Sequence, residues 1–281
     1  MTIALAIKVA DGIVLAADSA TTLQQLNGDG QPVENIYNNA NKLFNLHKGL
    51  PIGALTWGLG NIGPSSISTL SKDVRRRFHG DDASHPAWKI DADAYGIGDV
   101  AESVRQFLFD EKYEPVHGQE GPGLGYLVAG YSSDEDTPHL YGTMIGVGGE
   151  PELVEVLPGD TGAIWWGQPE AIARILNGVS TDLPTALMHM GMAQDDAVAA
   201  TNDIAVQVRA SLVTAAMPIQ DAIDLAQFLV HATIQYVRFT PGSPTVGGPI
   251  DVATITKHEG FKWVVRKHFY DVRLNPSQEA R

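Results

Sequence analysis

The order of hydrophobic and polar residues predicts that the chain opens with four β-strands. Apolar runs predict strands over 2–9 and 13–18, and the Ala10-Asp11-Gly12 segment between them is typical of a hairpin turn. Two more apolar runs predict strands over 42–46 and 52–57. The first strand therefore begins at the second residue, although chain ends usually fray because they make few contacts.

Apolar residues at helical spacing begin after the fourth strand. Pro64 suits a first helical position, and Ile67, Leu70 and Val74 lie on one face of the predicted helix. The three arginines at 75–77 are interpreted as a solvated helix end, since cations are favoured at a helix C-terminus. Further helices are predicted over 100–113, 169–176, 183–190, 195–216 and 219–238, and further strands over 125–131, 140–147, 153–157, 250–256 and 261–265.

Two polar stretches predict irregular structure, a long loop or an irregular extension over 24–41 and a loop over 80–94. Residues 24–41 are rich in Asn and separate the second predicted strand from the third, and residues 80–94 follow the first predicted helix. Neither stretch has the composition of a flexible linker, and no repeat or low-complexity tract divides the chain. We therefore expect a single domain over residues 1–281.

The strand patterns also predict how the sheets pack. Strand runs such as 12–17 are continuously apolar, which is expected of strands covered on both faces. The order strands, helices, strands, helices, strands predicts two antiparallel sheets packed on each other with helices outside. The expected fold class is α+β, as a four-layer α-β-β-α sandwich.

Composition and charge exclude several classes of protein. The chain has 19 Lys and Arg against 33 Asp and Glu, a net charge of -14, which argues against nucleic-acid binding. The absence of cysteine excludes disulfides, thiolate metal sites and cysteine nucleophiles, and it fits a cytoplasmic protein. Lys8 and Asp11 interrupt the apolar opening, so it does not match a signal peptide. No apolar run approaches the roughly 20 residues needed to span a bilayer, so no membrane association is expected.

The second residue offers a chemical reason for an ordered chain start. If Met1 is removed, which a small second residue permits, Thr2 carries a free α-amine beside its own hydroxyl. An α-amine titrates near 8 in model peptides, so part of it is neutral at cellular pH and accepts the hydroxyl proton. A threonine activated by its own terminal amine is an established nucleophile.

At this point the sequence resembles the proteasome β-subunit superfamily of N-terminal nucleophile hydrolases, which includes bacterial two-ring peptidases. Residues 2–18 look like the family's N-terminal hairpin, with an acidic residue sixteen places after the nucleophile. Residues 42–44 are similar to the catalytic lysine segment, and 52–58 to the strand that ends in the oxyanion-hole glycine. The Gly-Gly-Pro-Ile-Asp-Val run within 247–255 looks like the family's late strand. The first and last segments are the more specific ones.

The resemblance implies a role for each of four residues. Thr2 would be the nucleophile, and Lys42 a cation beside it that lowers the pKa of the amine and stabilises a developing alkoxide. Asp18 would pair with Lys42, and Gly58 would offer a backbone N–H to the tetrahedral oxyanion. From the residues alone, Lys42 also fits a snorkelling strand lysine, Asp18 a strand end and Gly58 a turn.

The chain departs from the family at the positions that orient the terminal amine. The family serine in the glycine-rich segment falls on Trp166, and the family aspartate falls near Ser243. The second family serine falls near Thr245 or Val246. The hydroxyls of Ser243 and Thr245 are candidates to replace the missing groups, although both also fit turn residues, and we include Ser243 among the candidate catalytic residues. Extra chain length is expected over 80–97 and 195–216.

The resemblance also bears on cofactors and partners. It implies neither a metal nor an organic cofactor. It implies self-assembly into a homo-oligomeric ring or helical stack, with a peptide or an unfolded protein as substrate. Any ATP-dependent unfoldase partner is unknown, and subunit number depends on small interface angles that one sequence does not give.

Two other functions are kept as hypotheses. One is a non-catalytic ring-assembly subunit of the same fold, which the missing serine would explain. The other is a dinucleotide-binding enzyme, because Gly58, Gly60 and Gly63 form a GxGxxG match between a predicted strand and a predicted helix. That fingerprint requires a βαβ unit, and 75–82 contains no apolar strand run. The dinucleotide hypothesis therefore ranks below the peptidase hypothesis.

Two further groups of residues have structural interpretations. His79, Asp81, Asp82 and His85 lack a recognised metal-ligand spacing, so an exposed polar loop is expected there. The pair Trp165-Trp166 is interpreted as a partly buried core or interface pair.

Overall fold

The computed structural model describes residues 2–26, 28 and 30–267. Strands are β1 Ile3–Val9, β2 Gly12–Ala17, β3 Thr21–Leu26, β4 Pro32–Tyr37, β5 Leu43–Asn45, β6 Ile52–Gly58, β7 Asn61–Ile62, β8 Ser65–Ser66, β9 Glu120–Gly130, β10 His139–Val147, β11 Leu153–Glu155, β12 Gly162–Gly167, β13 Asp251–Thr256 and β14 Gly260–Val265. Helices are α1 Ile67–Phe78, α2 Ile97–Gln106, α3 Glu114–His117, α4 Glu170–Ile172, α5 Leu183–His189, α6 Gln194–Val208 and α7 Ile219–Phe239. A 3-10 turn covers Pro86–Trp88, and π-helical turns cover Phe107–Tyr113 and Ala173–Asn177.

Two five-stranded sheets form the centre of the fold. Their strand orders are β12-β1-β2-β13-β14 and β11-β10-β9-β6-β5, and every strand pair among the described residues is antiparallel. Hairpin β1-β2 lies at the middle of the first sheet, where Ala4 pairs with Ala17. All six residues of β2 are buried, which confirms that this strand is covered on both faces.

The hydrophobic core divides into three clusters that follow the sheets. One contains residues of both sheets, among them Leu15 and Leu55, so the sheets pack face to face. A second joins strands of the second sheet to α1 and α2. The third joins β1, β2 and β13 to α7 and the segment around Ile172. No helix of the described residues combines the length and apolar character that crossing a membrane requires.

Most predicted strands and helices are confirmed, and two predicted regions are wrong. The predicted loop over 24–41 overlaps hairpin β3-β4, whose strands pair from Thr21 opposite Tyr37 onward. These strands were not predicted because their residues are mostly polar. Strands are recognised in a sequence by the alternation of apolar and polar residues that is typical of a half-buried strand. The predicted helix 195–216 ends at Val208, because Arg209 is extended and the Ala210 N–H donates to Leu176 O at 2.8 Å.

Strand β12 was not predicted, and α1 begins later in the chain than predicted. Strand β12 pairs with β1, placing Trp166 opposite Ala4. Helix α1 begins at Ile67 rather than Pro64, because the Ser66 side chain caps it by accepting a hydrogen bond from the Thr69 N–H at 3.1 Å.

The interpretation of 75–77 as a solvated helix end is wrong for Arg77. Its side chain is buried, and Nη1 and Nη2 donate to the two carboxylate oxygens of Glu111 at 2.7 and 2.8 Å. The guanidinium lies 4.7 Å from the ring centroids of both Trp88 and Phe107. Arg77 therefore joins α1 to the segment after α2, whereas Arg76 is exposed as predicted.

We expect Leu15→Ala to lower the free energy of unfolding by about 2–5 kcal/mol, because it opens a cavity between the sheets. Leu15 is fully buried, whereas Met190 is 83% exposed, so Met190→Ala is the matched control with an expected change within about 0.5 kcal/mol. Urea unfolding curves of the three proteins measure the difference. Equal midpoints for the two variants would contradict this packing.

Candidate active site

Thr2 is held in place from the first residue of the described chain. It is 4% exposed, and its carbonyl oxygen accepts a hydrogen bond from the Gln168 N–H at 2.8 Å. Gly167, at the end of β12, has a φ of +98°, and a Cβ there would lie 1.9 Å from Thr2 O. Only glycine permits this approach. The contacts of Gly167 and Gln168 with Thr2 were not predicted from the sequence. The glycine directly after Trp165-Trp166 was the available signal.

Hairpin β1-β2 places Asp18 beside Thr2. The Asp18 N–H donates to Ile3 O at 3.2 Å, and the Ile3 N–H donates to Asp18 Oδ1 at 3.0 Å. Thr2 Oγ1 donates to the same carboxylate oxygen at 2.5 Å. The other oxygen, Oδ2, accepts hydrogen bonds from the Ala20 and Gly247 N–H groups at 3.0 Å each. The side chain of Asp18 is thus buried and fully hydrogen-bonded, as a buried carboxylate requires.

Lys42 reaches this pair from the second sheet. It directly precedes β5, is 7% exposed, and its carbonyl accepts a hydrogen bond from the Thr56 N–H at 2.9 Å. Nζ lies 2.5 Å from Asp18 Oδ1 and donates to Thr2 Oγ1. Burial lowers the pKa of Lys42 from its usual value, while the Asp18 carboxylate acts in the opposite direction. The ammonium thus lies where it would stabilise negative charge on the Thr2 oxygen.

A cavity of about 550 Å³ opens in front of Thr2 and Lys42. Thr2, Lys42 and Gly58 all line it, together with Thr56 and Trp57 of β6. Gly58 has a φ of +81°, and a Cβ there would lie 2.3 Å from Gly123 O, so this backbone position also requires glycine. The structure brings the predicted Thr2, Asp18, Lys42 and Gly58 to one place.

Neither Ser243 nor Thr245, the predicted replacements for the missing family groups, lines the cavity. Ser243 is exposed. Thr245 is buried, and its Oγ1 has no hydrogen-bond partner among the described residues. Trp166 stacks on Trp57 with ring centroids 4.2 Å apart, in line with its interpretation as a partly buried pair. Met1 lies outside the described residues, so its removal stays a prediction.

The dinucleotide hypothesis is not supported by the topology around the glycines. Gly58 ends β6, which pairs antiparallel with β5 and β9, and hairpin β7-β8 separates it from α1. A dinucleotide fingerprint requires a parallel βαβ unit. Within residues 2–26, 28 and 30–267, no group of three or more His, Asp or Glu side chains is arranged to hold a metal ion.

No protein-family model matches the chain, and no curated protein matches it. Among solved structures, it is similar to an Anbu mutant from Hyphomicrobium sp. strain MC1, with 16% sequence identity and a TM-score of 0.54 over 94% of this chain and 87% of that chain. Anbu is a bacterial proteasome-like protein. At this identity the likeness shows the fold alone, an arrangement of antiparallel sheets and helices shared with that protein.

We expect Gly167→Ala to lower the free energy of unfolding by about 3 kcal/mol, because its Cβ would overlap the Thr2 carbonyl. Gly149 is the matched control, since its φ is +73° but a Cβ there meets nothing within 4 Å. Gly149→Ala then carries only the backbone cost of about 1 kcal/mol. Denaturant titration compares the two variants. A smaller loss for Gly167→Ala than for Gly149→Ala would contradict the close packing of Thr2.

Proposed function

We propose that this protein is a threonine-type peptidase that cleaves peptide bonds through an acyl-enzyme on Thr2, exposed by removal of Met1. One observation carries the proposal. The Lys42 ammonium contacts both Thr2 Oγ1 and the Asp18 carboxylate, in a buried cluster that opens into a cavity. Burial of a lysine costs free energy, which the pairing with Asp18 offsets. A buried lysine with a lowered pKa that also contacts a hydroxyl at a cavity is typical of a functional site.

The proposed fold is the four-layer α-β-β-α sandwich of N-terminal nucleophile hydrolases. The three core clusters support it, because one lies between the sheets and the others lie between each sheet and its helices. The likeness to the Anbu mutant supports the same architecture. By analogy we also propose a homo-oligomer, as a ring or helical stack, located in the cytoplasm.

In the proposed reaction, Thr2 Oγ1 attacks the carbonyl carbon of the scissile bond and its proton passes to the free α-amine of Thr2. Lys42 stabilises the charge that develops on Oγ1, and the Gly58 N–H is assigned to the oxyanion. The C–N bond then breaks, and the leaving amine takes the proton held by the α-amine. Water, deprotonated by the same amine, attacks the resulting ester and releases Thr2 with its hydroxyl restored.

The shape of the site favours an extended peptide as substrate. The cavity is lined by Thr2, by residues 39–42 and by residues 56–61. Its volume of about 550 Å³ admits a few residues of an extended chain but not a folded domain. A peptide or an unfolded protein therefore fits the site better than a folded domain does.

A non-catalytic assembly subunit is the second candidate function. Ser243 is exposed and Trp166 stacks on Trp57, so neither supplies the hydroxyl that would orient the terminal amine. The same experiments distinguish the two candidates, because an assembly subunit has no requirement for the Thr2 hydroxyl.

We expect Thr2→Ala to reduce turnover of a fluorogenic peptide by at least about 1,000-fold, and Thr2→Ser to retain part of it. Both substitutions keep a small second residue, so the loss of Met1 is unaffected and only the hydroxyl changes. Intact mass confirms that Met1 is absent. Thr201→Ala, on α6, is the control. Equal turnover by wild type and Thr2→Ala would remove the peptidase function.

We expect kcat/KM to depend on pH as a bell, with an alkaline limb below the ordinary lysine pKa of about 10.4. Activity requires a neutral α-amine, so it is lost as pH falls through the pKa of that amine. It also requires a charged Lys42, whose pKa is lowered by burial, so activity is lost as pH rises through that pKa. Rates from about pH 5 to about pH 11 test this. A plateau that persists above about pH 10.5 would exclude the ammonium role.

A further inference from the structure

A second buried lysine–aspartate pair lies behind the candidate active site. Lys267 Nζ donates to Asp251 Oδ2, and the Lys267 N–H donates to Asp251 Oδ1 at 3.1 Å. The two side chains are only 6% and 4% exposed. Asp251 begins β13 and Lys267 follows β14, and neither residue lines the cavity in front of Thr2. This pair is not required to join the two strands, which already pair along their length.

Hydrogen bonds connect this pair to the residue next to Asp18. Lys267 Nζ donates to Ser19 Oγ at 2.7 Å, and Ser19 Oγ donates to Pro249 O at 2.6 Å. The Ser19 N–H donates to Gly247 O at 2.9 Å, and the Gly247 N–H returns to Asp18 Oδ2 at 3.0 Å. Segment 247–251 is therefore fixed at both ends, by Asp18 and by the lysine pair.

The same serine also reaches the chain that carries Lys42. The Ser19 carbonyl accepts a hydrogen bond from the Ala40 N–H at 2.9 Å, two residues before Lys42. Ser19 is fully buried, so each of these bonds is shielded from water. Ser19 therefore connects Lys267 by hydrogen bonds to the segments that carry Asp18 and Lys42.

Lys267 and Asp251 also contribute to the electrostatic environment of Lys42. The charged groups that act on Lys42 are Asp18, Asp251 and Lys267, together with the α-amine of Thr2 once Met1 is removed. Burial is the largest cause lowering the pKa of Lys42, the carboxylates of Asp18 and Asp251 raise it, and the Lys267 cation lowers it. Two buried cations thus face two buried carboxylates.

We propose that Lys267 is a positioning residue of the peptidase site, acting through Asp251 and Ser19 to orient Asp18 and Lys42. This inference rests on the proposed function. Lys267 touches neither the cavity nor Thr2, so it contributes nothing to substrate binding. Its effect is on the rate of the chemical step and on the pH at which Lys42 titrates.

The first test is Lys267→Met. We expect kcat to fall about tenfold with KM unchanged, because Asp18 and Lys42 lose part of their support. We also expect the alkaline limb of the pH profile to move to higher pH. Removing a cation and leaving the Asp251 carboxylate raises the pKa of Lys42. An unchanged kcat, or an unmoved limb, would overturn the proposal.

A second variant covers the case in which Lys267→Met fails to fold, since a lone buried carboxylate lowers stability. Asp251→Asn has the same shape but removes the negative charge, so we expect the alkaline limb to move to lower pH. Shifts in opposite directions do not arise from general loss of structure. A shift of Asp251→Asn to higher pH would contradict the charge balance.

Lys257→Met is the matched control. Lys257 also pairs with an aspartate, Asp136, but both side chains are exposed at the opposite end of β13. We expect its kcat and pH profile to match those of the wild type. A shift equal to that of Lys267→Met would show that any lost lysine produces it, and would overturn the assignment.

A measurement without turnover separates this inference from the proposed function. Lysine labelled with ¹³C at Cε reports the titration of Lys42 by NMR, with Lys42→Arg identifying its signal. If wild type and Thr2→Ala cleave peptide equally, the peptidase function fails. The Lys42 titration then still tests the charge balance on its own. Identical Lys42 titrations in wild type, Lys267→Met and Asp251→Asn would overturn the role of Lys267.

Discussion

The buried carboxylate of Asp18 holds together the chain segments that form the candidate active site. One oxygen accepts hydrogen bonds from the Thr2 hydroxyl, the Ile3 N–H and Lys42, and the other accepts from the backbone of residues 20 and 247. Four separate chain segments thus meet at one side chain. A carboxylate buried without such partners would strongly destabilise the fold, so each segment is confined to the position in which it donates.

Close packing of backbone against backbone complements this polar centre. Gly167 lies against the Thr2 carbonyl and Gly58 lies against Gly123, and in both places a Cβ would overlap main-chain oxygen. The start of β1 is therefore restrained on one side by β12 and on the other by β2. These restraints position the Thr2 hydroxyl against the Lys42 ammonium. Rigid support of this kind is what nucleophilic catalysis requires.

The two buried lysines give the site its electrostatic character. Lys42 and Lys267 come from different sheets, and each pairs with its own aspartate. Removal of either charge from such a group leaves its partner uncompensated, which changes both stability and titration. The site is thus better described as a coupled set of charges extending behind the cavity than as a nucleophile with one neighbour.

Local patterns of residues were enough to predict the elements that are built from contiguous apolar runs. Apolar runs predicted β1, β2 and β6, and the short turn at Asp11 fixes the hairpin register that places Asp18 beside Thr2. The contacts of Lys42 with Thr2 and of Lys267 with Ser19 could not be predicted in this way, because they join residues 40 and 248 positions apart. Strand β12 does contain an apolar run, over residues 163–166, but the run does not indicate that β1 is its neighbour. Such contacts follow from which strands become neighbours and how two sheets face each other, and no local periodicity encodes either.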